Sequence, residues 1–317
     1  MSNYIVKRIA VSLGLIWFVM SLIFFLVHSL PGDAILALGG DRPESMSKEQ
    51  REFMLHELGL DRPLYIQYMD WLGKAVQGDF GVSISSKRPV LRDVLVCVPR
   101  TVELAVGALL IGFPLGITAG VVTALHRNSR ADVLINGTFV MLGSLPVYIT
   151  GIVLLLVFGL YLGWVPTGGF VELSENWTAH LRLLILPSLT LGLWLGAVAA
   201  RMTRHAMLEV LSQDYIRTAF SKGLARRTVH FSHALRNALI PVVTATGLQI
   251  GSLLGGAVLT ETVYTWPGLG SMFVSAVLQS NYPVIQGVVV IMVTAFVFTN
   301  LAVDLFIGCL DPRISRR

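Results

Sequence analysis

A chain of 317 residues with 54% hydrophobic and 14% charged residues, at a mean hydropathy of +0.70, is too apolar for a soluble globule of that length. The composition describes a polytopic membrane protein surrounded by lipid. A formal net charge of +5 is small for a nucleic-acid binder, so nucleic acid is excluded as a partner and the placement of the basic residues becomes the informative quantity.

Lys7 and Arg8 precede an uncharged run over 9–30. It is longer than the core of a signal peptide and long enough to cross a hydrocarbon layer of roughly 30 Å as a helix, so it reads as an uncleaved first span. The segment 31–98 breaks the pattern with eight Lys/Arg against ten Asp/Glu and reads as water-exposed. Within it Ser47 and Gln50 have capping-box spacing for a helix ending at Gly59, Pro63 suits the first turn of another, and Gly78-Asp79-Phe80-Gly81 reads as a turn. So little apolar content does not sustain a core alone, and the segment is expected to lie against the ends of the spans.

Further apolar runs follow at 104–125, 133–162, 181–200, 242–263 and 283–310, which makes six spans and places both termini on one side. The loop 202–240 holds six Lys/Arg against two acids, the 126–132 connection carries Arg127 and Arg130, and the C-terminus ends with Arg313, Arg316 and Arg317. By the positive-inside rule these are cytoplasmic, which leaves 31–98, 163–180 and 264–282 outside. The outside loops hold Trp164, Trp177, Tyr264, Trp266 and Tyr282, which suits an interfacial aromatic belt. Inside the spans, Gly247, Gly251 and Gly255 recur every four residues and are expected to let a neighbouring helix approach closely. Thr244, Thr246 and Gln249 share that span and are candidates for a translocation pathway. Asp304, near the inner end of the last span, is expected to pair with Arg201 or Arg204 in assembling the bundle.

The loop 202–240 contains the most distinctive stretch. Asp214 reads as an N-cap, Tyr215 to Lys222 as about two helical turns, and Gly223 as their left-handed terminator. From Ala225 a second helix is expected, with Leu224, Phe231, Leu235 and Leu239 on one face and Arg226, His230, His233 and Asn237 on the other. Pro241 then marks where the next span begins, because a proline costs least in a first helical turn.

The strings Asp214-Tyr215-Ile216-Arg217-Thr218-Ala219, Lys222-Gly223-Leu224 and His233-Ala234-Leu235-Arg236-Asn237-Ala238-Leu239-Ile240-Pro241 resemble the coupling loop of the permease subunits of bacterial ABC importers, in the dipeptide, oligopeptide and nickel group. Arg217-Thr218-Ala219 stands in place of the literal Glu-Ala-Ala of the motif, a departure usual for the peptide and nickel group. Gly59-Leu60-Asp61-Arg62-Pro63-Leu64, Gly78-Asp79-Phe80-Gly81, the string from Glu261 through Trp266-Pro267-Gly268 to Gly270, Asn281-Tyr282-Pro283, Asn300 to Leu305, and Asp311-Pro312-Arg313 resemble the same group in order and spacing.

The resemblance implies an all-α membrane protein of six transmembrane helices with the type I ABC importer fold, 1–317 forming a single permease domain in the bacterial cytoplasmic (inner) membrane. It implies a second homologous permease subunit, two ATPase subunits holding ATP and Mg, and an extracytoplasmic solute-binding protein as partners, with no cofactor bound by this chain. Asp214 would start the coupling helix, Arg217 and Lys222 would contact the ATPase, and Gly223 would supply the turn back, with Tyr215, Thr218, Ala219 and Leu224 in the same element. Peptides are the first expectation for cargo, with glutathione-like compounds, opines or a nickel chelate as other members of the class.

The chain shows no Gly-x-x-x-x-Gly-Lys-Ser/Thr phosphate loop, so energy is expected from another subunit, and no His-Glu-x-x-His or Cys-x-x-Cys spacing that would suggest a metal. A self-contained secondary transporter or channel is the alternative, for which inverted repeats, broken helices or mid-membrane charges are the signs. An intramembrane enzyme is a third class, without a recognisable nucleophile.

Overall fold

A computed structural model describes residues 2–29, 56 and 61–310. The helix expected from Ser47 to Gly59, apart from His56, and the basic residues of the C-terminus lie outside the described residues. Among those described, the chain is almost wholly helical, with an isolated antiparallel bridge between Val82 and Pro89. The helices are α1 (Ser2–Ser29), α2 (Leu64–Val76), α3 (Val90–Leu125), α4 (Arg130–Ser144), α5 (Val147–Leu154, continuing as a π-helix over Leu155–Tyr161), α6 (Trp177–Leu211), α7 (Asp214–Ser221), α8 (Arg226–Val263), α9 (Leu269–Leu278) and α10 (Tyr282–Leu310).

Five of these are long and apolar enough to cross a membrane, and α4 with α5 forms a sixth if the pair is one span. The run 133–162, expected as a single span, is bent by 110°. The cause is local: Pro146 lacks an N–H and disfavours helix in the residue before it, and Leu145 is extended at φ −75°, ψ 137°. A broken span is one of the signs assigned above to self-powered carriers, and here a single proline accounts for it.

The helices outrun the apolar runs that announced them. α3 begins at Val90 rather than 104, and α3, α6 and α8 have 36, 35 and 38 residues, about 53–57 Å each at 1.5 Å per residue. Hydropathy marks the part of a helix in lipid, whereas the helix itself continues until a cap or breaker ends it. Pro241, expected to open a new helix, lies inside α8, which runs unbroken from Arg226.

Two compact units divide the chain. The first comprises Met1–Thr101 and Pro267–Leu301 and is built around Met20, Ala75, Phe80, Val90, Val94, Leu269, Val284 and Val288. Residues of the 61–98 stretch thus share a core with α1, α9 and α10, as its low apolar content required. The second comprises Val102–Trp266 and Ala302–Arg317. One of its cores gathers Leu104, Ala108, Leu191, Leu195, Leu253, Ala257 and Trp266, and the other surrounds α7.

Tyr264 and Trp266 are corrected by this packing. They are fully buried rather than part of an interfacial belt, while Trp164 and Trp177 are exposed. Thr265 takes a left-handed φ of 54°, Trp266 N–H donates to Glu261 at 2.8 Å, and the indole turns inward against Phe170 at 4.9 Å between ring centroids. The Tyr264 hydroxyl donates to the Gly151 carbonyl at 2.8 Å and lies 2.9 Å from Thr190 Oγ1.

Close helix approach occurs at glycines beyond the three expected, and at some but not all of those. On α3, a Cβ added at Gly112 or Gly116 would collide with the backbone of Gly192 or Gly196 on α6, and one at Gly120 would lie 2.5 Å from Thr203 Cβ and 2.7 Å from the Ala200 carbonyl oxygen. On α8, Gly247 does meet Val303, and Gly251 is buried, but a Cβ at Gly255 would meet nothing within 4 Å. The stripe over 112, 116 and 120 carries the same four-residue period, and α3 with α6 uses it to bring two backbones together where apolar side chains supply little drive in lipid.

Candidate functional site

The site grows from α7, eight residues held between the long helices of the second unit. Ile216 is 1% exposed and Ala219 is buried beside it. The two pack with Val121 and Ala124 of α3, Ala206 and Met207 of α6, and Val229, Ala234, Ala238 and Val242 of α8. A second tether is polar: the Asn237 side-chain amide donates to the Tyr215 hydroxyl at 3.0 Å and to the His233 carbonyl at 2.9 Å. Phe220 meets the His230 ring edge-on at 6.1 Å.

Both ends of α7 are defined by local chemistry. Its N-cap is Gln213, in an extended conformation and without a side-chain capping bond, so Asp214 is the first helical residue rather than the expected cap. There its carboxylate lies 3.5 Å from the Arg217 guanidinium, one turn on, and suits the positive end of the helix dipole. At the other end Gly223 has φ +75°. Gly223 N–H donates to Phe220 at 3.0 Å and Leu224 N–H to Ala219 at 3.4 Å, the paired bonds of a Schellman termination.

What α7 leaves in the open is a mixed surface. The Arg217 side chain is 77% exposed, Thr218 and Lys222 are exposed, and Tyr215, Phe220 and Leu224 present apolar area beside them. Ala219 is the one nominated residue of this helix that is turned inward. The face expected for the next helix is also corrected: Val229, Ala234, Ala238 and Val242 are buried, whereas Leu224 and Phe231 are exposed. The buried spacing of five, then four and four, follows from the π-helical stretch Val229–Leu235, whose wider turn rotates every later side chain relative to a regular α-helix.

A neighbouring ion pair was not foreseen. Arg204 of α6 donates two hydrogen bonds to Asp132 of α4, at 3.0 and 2.9 Å, and Asp132 also accepts from Asn128 N–H at 3.0 Å. Asp132 N–H in turn donates to Ser129, the N-cap of α4. Arg204, one of the two arginines nominated for Asp304, thus has its guanidinium fork committed to Asp132. The sequence signal was a Ser-x-x-Asp capping pattern at 129–132, readable as a helix start though not as half of an ion pair.

The pathway candidates on α8 divide. Thr246 is buried and its hydroxyl donates to the Val242 carbonyl at 2.6 Å, so it serves its own helix. Thr244 bonds back to Ile240 at 3.0 Å, and Gln249 is half-buried.

Comparisons with known proteins place this arrangement. Residues 112–316 match the family model of the binding-protein-dependent transport system inner membrane component, and residues 1–105 match the N-terminal model of binding-protein-dependent transport system membrane components. The chain is 38% identical over 337 residues to the di/tripeptide transport system permease protein DppB of Pseudomonas aeruginosa strain UCBPP-PA14, covering 100% of each. It is 40% identical over 314 residues to the glutathione transport system permease protein GsiC of Escherichia coli K12, covering 99% of each. Among solved structures, the MetNI methionine ABC transporter in inward-facing conformations matches at a TM-score of 0.58 and 18% identity, covering 69% of this chain and 96% of that one, a likeness of fold.

Proposed function

The chain belongs to the binding-protein-dependent transport system inner membrane components, permease subunits of ABC importers, and on that premise we propose that it passes peptides across the bacterial inner membrane, driven by separate ATPase subunits bearing on α7. The cargo reading rests on relatives that carry di/tripeptides and glutathione, itself a tripeptide derivative. In this reading both termini and α7 are cytoplasmic, as the loop charges favour. A second, homologous permease completes the pathway, two ATPase subunits hold ATP and Mg, and an extracytoplasmic binding protein delivers the solute; the chain supplies no ATPase site of its own.

The observation that carries the mechanism is the mounting of α7. A short helix with an exposed cationic and aromatic face is keyed through Ile216 and Ala219 into α3, α6 and α8. A push on the exposed face is therefore delivered to three long helices at once, because a close-packed contact transmits displacement and does not absorb it. Arg217 and Lys222 supply the charge for the motor to grip, and Asp214 and Gly223 bound the lever.

Gly223→Val in the reconstituted complex tests this. A β-branched residue at φ +75° is strained by roughly 1–2 kcal/mol and shifts the end of α7. The expected result is ATP hydrolysis retained, uptake reduced at least tenfold, and the subunit still inserted. Coupled uptake at the wild-type ratio would count against α7 as the lever. Solute movement by the purified chain alone, driven by an ion gradient without nucleotide, would overturn the importer reading itself.

A further inference from the structure

The first unit contains a densely hydrogen-bonded loop between α2 and α3. It opens with Gly78 and Gly81, both at left-handed φ (82° and 80°), with Gly81 N–H donating to the Asp79 carboxylate at 3.0 Å. Backbone bonds then stitch it shut: Ser83 N–H to Arg88 at 2.9 Å, Lys87 N–H to Ser83 at 3.0 Å and Val90 N–H to Gly81 at 3.0 Å. Beneath it Asn281, 2% exposed, donates from its amide to Ser83 Oγ at 3.0 Å and Ser85 Oγ at 3.1 Å and accepts from Ile84 N–H at 3.3 Å. Phe80 is buried in the core of the unit, and Ser86 Oγ donates to Asp93 at 2.7 Å.

The rim of this braced loop is cationic. Lys87, Arg88 and Arg92 are exposed, and among the described residues none of the three forms an ion pair. Lys87 sits at φ 54°, a conformation that lysine adopts at a cost and that persists only where the surroundings impose it. On the proposed topology the loop is extracytoplasmic. The segment 31–98 is longer than the loops whose charge sets orientation, so topology neither requires nor forbids the three cations.

We propose that Lys87, Arg88 and Arg92 form a preorganised docking platform for a carboxylate-rich surface of the solute-binding protein. The argument for a folded partner is the bracing. Lipid headgroups are fluid and are gathered as well by mobile lysines, whereas a rigid partner is matched by charges whose backbone positions are already fixed, because only side-chain freedom is then lost on association. Complementary charge also steers the encounter, raising the on-rate in a salt-dependent manner. The proposal rests on the importer reading and on its orientation.

The test uses the reconstituted complex in proteoliposomes with the solute-binding protein that stimulates its ATP hydrolysis. In the surface variant Lys87→Glu, Arg88→Glu, Arg92→Glu, the concentration of binding protein for half-maximal stimulation is expected to rise at least tenfold at low salt, with a flattened salt dependence and an unchanged maximal rate. An unchanged half-maximal concentration overturns the platform. So does a shift that follows the phosphatidylglycerol content of the vesicles at fixed binding protein, which would assign the cations to lipid. A separate measurement isolates the premise: in a Cys97→Ser, Cys309→Ser background, Lys87→Cys is expected to react with a membrane-impermeant maleimide in intact spheroplasts. Labelling only after lysis would remove the orientation, and the platform with it.

Discussion

At the scale of single residues, depth in the fold separated side chains that look alike in the sequence. Trp164 and Trp266 both fall in connections between apolar runs, yet Trp164 is 69% exposed and Trp266 is 0% exposed. A left-handed residue precedes both, Gly163 and Thr265, so the difference lies in what each ring meets: Trp266 packs edge-on against Phe170 and His180 inside the unit. Trp266→Ala should therefore leave a cavity and lower stability by about 3–5 kcal/mol, while Trp164→Ala should stay within about 0.5 kcal/mol. Thermal unfolding of the two purified variants checks the contrast, and equal midpoints would return Trp266 to the belt. Thr246 teaches the same lesson: a hydroxyl in a span is as readily used by the carbonyl one turn before it as by a passing solute.

At the scale of elements, periodicity was legible and register was not. The four-residue glycine period correctly signals helix contact, but it occurs on both α3 and α8, and which stripe meets a backbone is set by the neighbouring helix. Gly112 lies against Gly192 and Gly255 is open. Gly112→Val is expected to abolish accumulation of folded protein in the membrane, because the clash is with main chain that has no rotamer to yield, whereas Gly255→Ala leaves accumulation unchanged. Equal accumulation of both variants, measured by quantitative blot of washed membranes, would refute the α3–α6 packing. The amphipathic face assigned downstream of α7 failed for a related reason. A π-helical stretch adds a residue to the period, and nothing in Val229–Leu235 marks it by composition.

For the molecule as a whole, charge distribution yields an orientation that can be tested one position at a time. In the background without native cysteines, Arg127→Cys and Lys222→Cys are expected to react with an impermeant thiol reagent only when the cytoplasmic face is opened, and Trp164→Cys in intact cells; the reverse pattern would invert the protein in the membrane. Sequence alone determined that this is an all-helical membrane protein of the peptide-importer permease family, and where α7 begins and ends to within a residue. The membrane class and the bounds of α7 follow from transfer free energy and from local backbone preferences such as the one Gly223 satisfies, both written residue by residue, while the family was legible from the resemblance of motifs in order and spacing. Only the tertiary structure decided that Pro146 breaks a span while Pro241 does not, that Asp132 is the partner of Arg204, and that Ile216 and Ala219 key α7 into three helices. The ion pair and the keying depend on which groups meet across long separations in sequence, and the fates of the two prolines on the backbone conformation around each; hydropathy, which averages over neighbours along the chain, carries no information about either.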